Sequence, residues 1–239
     1  MQVTELISGG RRLYGMTFEP SEPSEPSEPT EPSEPVASAP GLLFVHGLSS
    51  DQVGYWQRAE ASSERLRTVC LTFDLSGHGS SEGDVYELSP EDHLDDVVTA
   101  YDALAAHPAV DGDRVGVCGS SYGAYLAALL PARRPVSRLL LRAPALYDDR
   151  DLTTPLGRRR RTPTDGAAPR LFEALAGVAA GVLVVESGAD EVIPRWVIHQ
   201  YLRNCQRARH TAIDGAAHAL APEFEQAFLD ILIGWFARL

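Results

Sequence analysis

Short apolar runs rich in β-forming residues recur between helical patterns from residue 42 onward, and this alternation constrains the fold more than any other feature of the chain. The runs are Leu42 to Val45, Thr68 to Asp74, Arg114 to Gly119, Arg138 to Pro144, Gly181 to Gly188 and His210 to Asp214. Strands joined through helices must cross over between neighbours, so they align in a mostly parallel central sheet with helices on both faces. The helices are legible as well. Ser89 stands where it can cap a helix, with Pro90 at the first position and Asp92 three residues on, a capping-box-like start to a segment reaching about Ala106. A second helix is expected from Tyr122 to about Leu130. A third is expected from Pro222 to about Ala237, with Phe224, Phe228, Ile231, Leu232 and Trp235 largely along one face. A chain of 239 residues suits one such domain, spanning 1–239.

The segment before the first run is different. VTELISGGRRLYGMTFEP reads as two short strands around a Gly-Gly turn. EPSEPSEPSEPTEPSEP then repeats a three-residue unit of proline, a hydroxyl residue and glutamate. Such a unit cannot bury apolar surface and favours extended polyproline II, so residues 19–38 are expected to form a solvated surface loop separating an N-terminal hairpin from the sheet. Six glutamates of this run account for half of the net charge of −12, which leaves a mildly acidic remainder and makes nucleic acid a poor partner. All 21 basic residues are arginine, which excludes a Schiff-base lysine or a phosphate-loop lysine. Cys70, Cys118 and Cys205 lack metal-ligand or CxxC spacing and read as reduced thiols, Cys70 and Cys118 within apolar runs. No apolar stretch has the length of a signal or membrane-spanning segment, so a soluble, cytoplasmic protein is expected.

Gly119-Ser120-Ser121-Tyr122-Gly123 fits G-x-S-x-G between an expected strand and an expected helix, the context of a nucleophile elbow. A reacting serine must project from a tight turn, and glycines two residues to either side let strand and helix approach. Serine is a weak nucleophile until a base within hydrogen-bond reach takes its proton, and the base needs a carboxylate to fix its tautomer. For this elbow the chain order is Ser, then Asp or Glu, then His, on loops after later strands. Asp190 in GADEVIP and His218 in GAAHAL occupy those places. Glu191 and Asp214 are rival carboxylates. His199 falls in an expected helix and His210 begins an expected strand, which leaves His218 as the base. The backbone N–H of Tyr122 and that of Leu48, after LLFVHG, are the expected oxyanion donors, with His46 a structural neighbour.

LLFVHGLSS, FDLSGHGSSEG, GVCGSSYGAY, SGADEVIP and GAAHAL, in this order, resemble the α/β-hydrolase superfamily, and particularly its esterase, acylglycerol-lipase and serine-aminopeptidase-like branch. The resemblance implies an α/β-hydrolase fold and a Ser-His-Asp hydrolase of esters, thioesters or small amides. Its partner would be a small-molecule acyl substrate, with no metal, no organic cofactor and no membrane span. Ser76 stands where the family's D-x-R-G-H-G-x-S loop commonly has arginine, so that arginine's interaction is lost or replaced; His78 in the same loop is expected to be structural. The window where the family inserts a lid, about 145–175, is short, which implies a small cap over an open cleft. It contains Asp148, Asp149, Arg150 and Asp151, and the run Arg158 to Arg161, read as a solvated loop. An acyltransferase or a small-peptide aminopeptidase with the same three residues is the nearest alternative, and a binding protein on a hydrolase fold is a more distant one.

Overall fold

The computed structural model describes residues 1–21, 38–159, 168–178 and 180–239. Most of the Pro/Glu/Ser-rich segment, together with Arg160 and Arg161 of the arginine run, lies outside the described residues. Among the described residues, eight strands form one sheet: β1 (Gln2–Ser8), β2 (Arg11–Phe18), β3 (Ala39–Val45), β4 (Val69–Phe73), β5 (Val110–Ser120), β6 (Arg138–Arg142), β7 (Val182–Ser187) and β8 (Ala208–Ile213). Their order is β1-β2-β4-β3-β5-β6-β7-β8. From β4 to β8 all neighbours are parallel, while β1 and β2 pair antiparallel with each other and β2 pairs antiparallel with β4. The N-terminal hairpin is therefore not set apart from the sheet as expected. Gly15 to Phe18 of β2 align with Phe73 to Cys70 of β4, which makes the hairpin one edge of the sheet.

Among the described residues, six helices cover the sheet: α1 (Trp56–Leu66), α2 (Pro90–Ala105), α3 (Tyr122–Leu129), α4 (Pro169–Ala176), α5 (Arg195–Asn204) and α6 (Pro222–Phe236). Because side chains alternate along a strand, each central strand feeds two cores. Leu43, Val45, Val117, Leu139, Leu141, Val182 and Val184 pack on the side of α2, α3 and α4. Leu42, Phe44, Cys118, Leu140, Leu183 and Val185 pack on the side of α1 and α6, against Phe228, Leu232, Trp235 and Phe236. Of the face expected on α6, Phe228, Leu232 and Trp235 are buried, while Phe224 and Ile231 are partly buried at its margin. All three cysteines are free and buried, and burial pushes the Cys70 and Cys118 thiols up to about 12. No helix among the described residues is long and apolar enough to cross a membrane.

The described part of the cap window holds two short 3-10 turns, Asp149–Asp151 and Leu156–Arg158, followed by α4. Arg158 is exposed, but Arg159 departs from the expectation of a solvated run. Its guanidinium carbon stands 3.7 Å from the centre of the Tyr147 ring, and Nη2 lies 3.6 Å from Asp151. Stacking on an aromatic face with a carboxylate nearby favours this packed position over water.

Candidate active site

β5 runs through the middle of the sheet and delivers Ser121 to the C-terminal end of the parallel strands. Ser121 has φ +53° and ψ −118°, a conformation that non-glycine residues adopt only when their surroundings enforce it. The enforcing contacts are explicit. The Ser121 N–H donates to the Arg142 carbonyl at 2.9 Å, and the Ser121 carbonyl accepts from Ala124 N and Ala145 N, both at 3.1 Å. The flanking glycines remove the clash that this turn would otherwise create. A Cβ on Gly119 would lie 2.5 Å from the Gly123 carbonyl oxygen, and one on Gly123 would run into the carbonyl oxygens of Val45 and His46.

His218 and Asp190 meet Ser121 from loops after β8 and β7. His218 Nε2 is 3.0 Å from Ser121 Oγ, and His218 Nδ1 is 2.9 Å from Asp190 Oδ2. The other carboxylate oxygen of Asp190 accepts the amides of Val192 at 2.8 Å and Ile193 at 2.9 Å, so the acid is held by its own turn. An ionised carboxylate only accepts, which puts a proton on Nδ1 and leaves Nε2 to accept from the serine hydroxyl. The Asp190 side chain is 6% exposed and that of His218 is 23% exposed, a graded approach from core to surface. The rivals lie elsewhere. Glu191 and Asp214 are exposed, His199 is exposed on α5, and His210 on β8 pairs with Glu186 at 2.9 Å.

Gly47 brings the chain after β3 alongside Ser121, since a Cβ there would be 3.4 Å from Ser121 Cβ and 4.0 Å from Oγ. Leu48 follows and is partly open to solvent. Tyr122 is the first residue of α3, where an N–H has no intrahelical acceptor and points out of the helix start.

Beneath this rim lies a ladder of buried histidines. The rings of His46 and His78 are 5.0 Å apart, those of His78 and His93 are 5.6 Å apart, and His93 meets the Tyr122 ring edge-on at 5.6 Å. His46 donates from Nδ1 to the Gly47 carbonyl at 2.8 Å and accepts the Leu75 amide on Nε2 at 3.0 Å. His93 donates from Nε2 to the Ser76 carbonyl at 3.0 Å and accepts the Tyr122 hydroxyl on Nδ1 at 2.9 Å. These roles fit neutral rings. Burial takes His46 down to about 3 and His93 down to about 4, and lowers His78 as well. Among the described residues, no group of three or more His, Cys, Asp or Glu side chains is arranged to hold a metal ion.

The loop after β4 is built around Asp74, whose carboxylate accepts from Gln52 N at 2.8 Å, Gln52 Nε2 at 3.2 Å and Ser80 N at 3.0 Å. It thereby ties the loop after β3 to the loop after β4. Ser76, lacking an arginine side chain of its own, receives one from elsewhere: Arg11 of β2 donates from Nε to Ser76 Oγ at 3.0 Å. This contact comes from 65 residues away in the chain, and no local reading of the loop reveals it.

Residues 42–141 match the alpha/beta hydrolase family. Two uncharacterised proteins of Mycobacterium tuberculosis, from strains CDC 1551 and H37Rv, are 28% identical over 186 residues; the match covers 76% of this chain, which spans 63% of the length of those relatives. Among solved structures, Est1E of Butyrivibrio proteoclasticus with bound ferulic acid superposes with a TM-score of 0.71 at 17% identity, covering 98% of this chain and 100% of the other. Thermogutta terrifontis esterase 2, phosphonylated by cyclosarin, superposes with a TM-score of 0.72 at 17% identity, covering 97% and 91%. The sequence match over residues 42–141, taken with the fold shared along nearly the whole chain, identifies the architecture as the α/β-hydrolase fold.

Proposed function

We propose that the chain is a serine hydrolase that cleaves carboxylic esters, or thioesters and small amides, through an acyl-enzyme on Ser121. The observation that carries this reading is the continuous hydrogen-bonded line from Asp190 through His218 to Ser121, at 2.9 and 3.0 Å, ending on a strained turn. Ser121 Oγ attacks the acyl carbonyl carbon while His218 Nε2 takes its proton, and Asp190 holds the imidazolium that forms. The carbonyl oxygen, now negative, is received by the N–H groups of Leu48 and Tyr122. His218 returns the proton to the departing oxygen, sulfur or nitrogen as the bond to carbon breaks. Water then repeats the sequence on the acyl-serine and frees the acid.

The aminopeptidase alternative would need acidic groups free to bind a substrate ammonium, and the three aspartates of the cap window are engaged. Asp148 grips Arg150 with both oxygens at 2.9 and 2.7 Å, Asp149 accepts the Arg170 amide at 3.0 Å, and Asp151 lies 3.6 Å from Arg159. This favours acyl substrates without a free amine. Because a fold relative is an esterase phosphonylated by cyclosarin, an organophosphorus probe suits the test. A fluorophosphonate should add one label, on Ser121, and Ser121→Ala should abolish it. Wild-type protein that stays unlabelled and hydrolyses no short p-nitrophenyl ester would overturn the proposal.

A further inference from the structure

β6 ends in a residue that touches both sides of the candidate site. Through its main chain, Arg142 accepts the Ser121 amide at 2.9 Å. Through its side chain, Nη2 shares its two hydrogens among the His218 carbonyl at 2.7 Å, the Ala217 carbonyl at 3.1 Å and Ser187 Oγ at 3.0 Å. Arg142 is only 5% exposed, and no carboxylate among the described residues forms an ion pair with it. Packing alone does not require a guanidinium at this point of the sheet, since the other buried residues of β6, Leu139, Leu140 and Leu141, are aliphatic. A buried cation without a carboxylate partner is costly, so its retained charge calls for acceptors that need it.

Two of the three acceptors, the Ala217 and His218 carbonyls, belong to the segment between β8 and α6, residues 214–221, and Ser187 closes β7 beside it. Up to His218, the segment's main-chain ties besides strand pairing are that Ala216 N donates to Ile213 O at 3.1 Å and Ala189 N to Ala216 O at 2.8 Å; at its far end, Phe224 N donates to Ala221 O at 2.9 Å. Beyond Ala216, the next two carbonyls turn toward Arg142. We infer that Arg142 is the positioning residue for His218, fixing the segment so that Nε2 stays within reach of Ser121 Oγ. The inference rests on the serine-hydrolase reading for its effect on turnover, though not for its effect on the segment. The fixed point is shared: one residue sets the nucleophile's amide with its carbonyl and the base's carbonyl with its guanidinium.

The test uses the full chain carrying Arg142→Met, with Arg142→Lys as the conservative partner. Steady-state kinetics on a short p-nitrophenyl ester should show kcat reduced by about 10- to 100-fold in Arg142→Met, with KM changed by less than about twofold, because misplacing a catalytic group by about 1 Å costs this much. Arg142→Lys, able to reach part of the same acceptor set, should lie between wild type and Arg142→Met. Hydrogen exchange should quicken at the amides of residues 214–221 in Arg142→Met and stay unchanged in β3 and β4. If Arg142→Met does not fold, the same two readouts on Arg142→Lys decide the matter. A folded variant with wild-type kcat, or one whose 214–221 amides exchange at the wild-type rate, overturns the inference. The exchange result is independent of turnover, so a wild-type protein that resists the fluorophosphonate removes the hydrolase reading while the exchange still decides the role of Arg142.

Discussion

The Tyr122 hydroxyl donates to His93 Nδ1 at 2.9 Å, which ties the first residue of α3 to α2 and, through His93 Nε2, to the Ser76 carbonyl. The same tyrosine contributes the backbone N–H proposed to receive the oxyanion, so a side-chain bond inside the core fixes a main-chain group at the rim. Tyr122→Phe keeps the ring and leaves His93 Nδ1 buried without a donor. Urea unfolding should show a loss of about 1 to 3 kcal/mol, the usual cost of an unsatisfied buried polar group. Turnover should fall less than in variants of the Ser121, Asp190 and His218 set. An unchanged urea midpoint would contradict this account of the ladder.

The ladder also sets an acid limit on stability. His46 and His93 titrate near 3 and 4 in the folded chain because burial disfavours the charged ring, against about 6.5 when unfolded. The unfolded chain therefore binds more protons across that interval, and stability rises with pH there. The stability that neutral rings supply is complete above about pH 6.5 and is lost progressively as pH falls toward 4. His93→Gln can keep one donor and one acceptor without titrating, so its melting temperature should drop less than wild type between pH 7 and 4.5. Parallel curves for the two proteins would refute this.

Asp190→Asn tests the carboxylate assignment. An amide can present its nitrogen to His218 Nδ1 and stabilise the wrong tautomer, and it cannot balance an imidazolium. On the precedent of serine hydrolases, kcat should fall by roughly 10³- to 10⁴-fold. Binding of a competitive, non-reacting ester analogue should change little. Asp214→Asn, on an exposed residue, should leave kcat within about twofold. Equal losses in the two variants would argue against Asp190.

Gly123→Ala probes the elbow by packing alone. The added methyl would meet the Val45 and His46 carbonyl oxygens, both in backbone that cannot give way cheaply. A loss of about 1 to 3 kcal/mol is expected from overpacking, accompanied by slower fluorophosphonate labelling. Gly54→Ala, where a Cβ meets nothing within 4 Å, serves as the matched control and should be close to neutral.

Much of the architecture is legible in the sequence where burial is two-sided or capping is explicit. Leu139 to Leu141 of β6 and Val182 to Val185 of β7 are buried on both faces and read as apolar runs. Ser89 and Asp92 form the reciprocal capping bonds that their spacing announces, at 3.2 and 2.8 Å. Helix α1 left no comparable trace, because the residues it buries are Ala59, Ser62 and Ser63, small or polar side chains that carry no hydrophobic period. The start of β5 was hidden for a different reason. Val110 to Asp113 contains aspartates and a glycine that read as a turn, yet Val110 pairs with Ala39 across a register shift before regular pairing resumes at Val115. Ser121, Asp190 and His218 each follow a strand and share a known chain order, so local reading suffices to nominate them. The contacts of Arg142 and Arg11 are not legible locally, because their partners are defined by sheet order and loop folding. The one available signal was an arginine closing an apolar strand.

The described ends of the connection between β2 and β3 lie at the pole opposite Ser121. Phe18 pairs with Cys70 near the start of β4, and Ser21 is fastened by Glu64 and Arg67 at the end of α1, at 2.9 and 2.7 Å. Ala39 then opens β3 at the same pole, and five more residues of parallel pairing with β4 separate it from Gly47. A tag or tether joined at Ser21 or Ser38 would therefore attach at the far end of the strands from the rim where Ser121 stands.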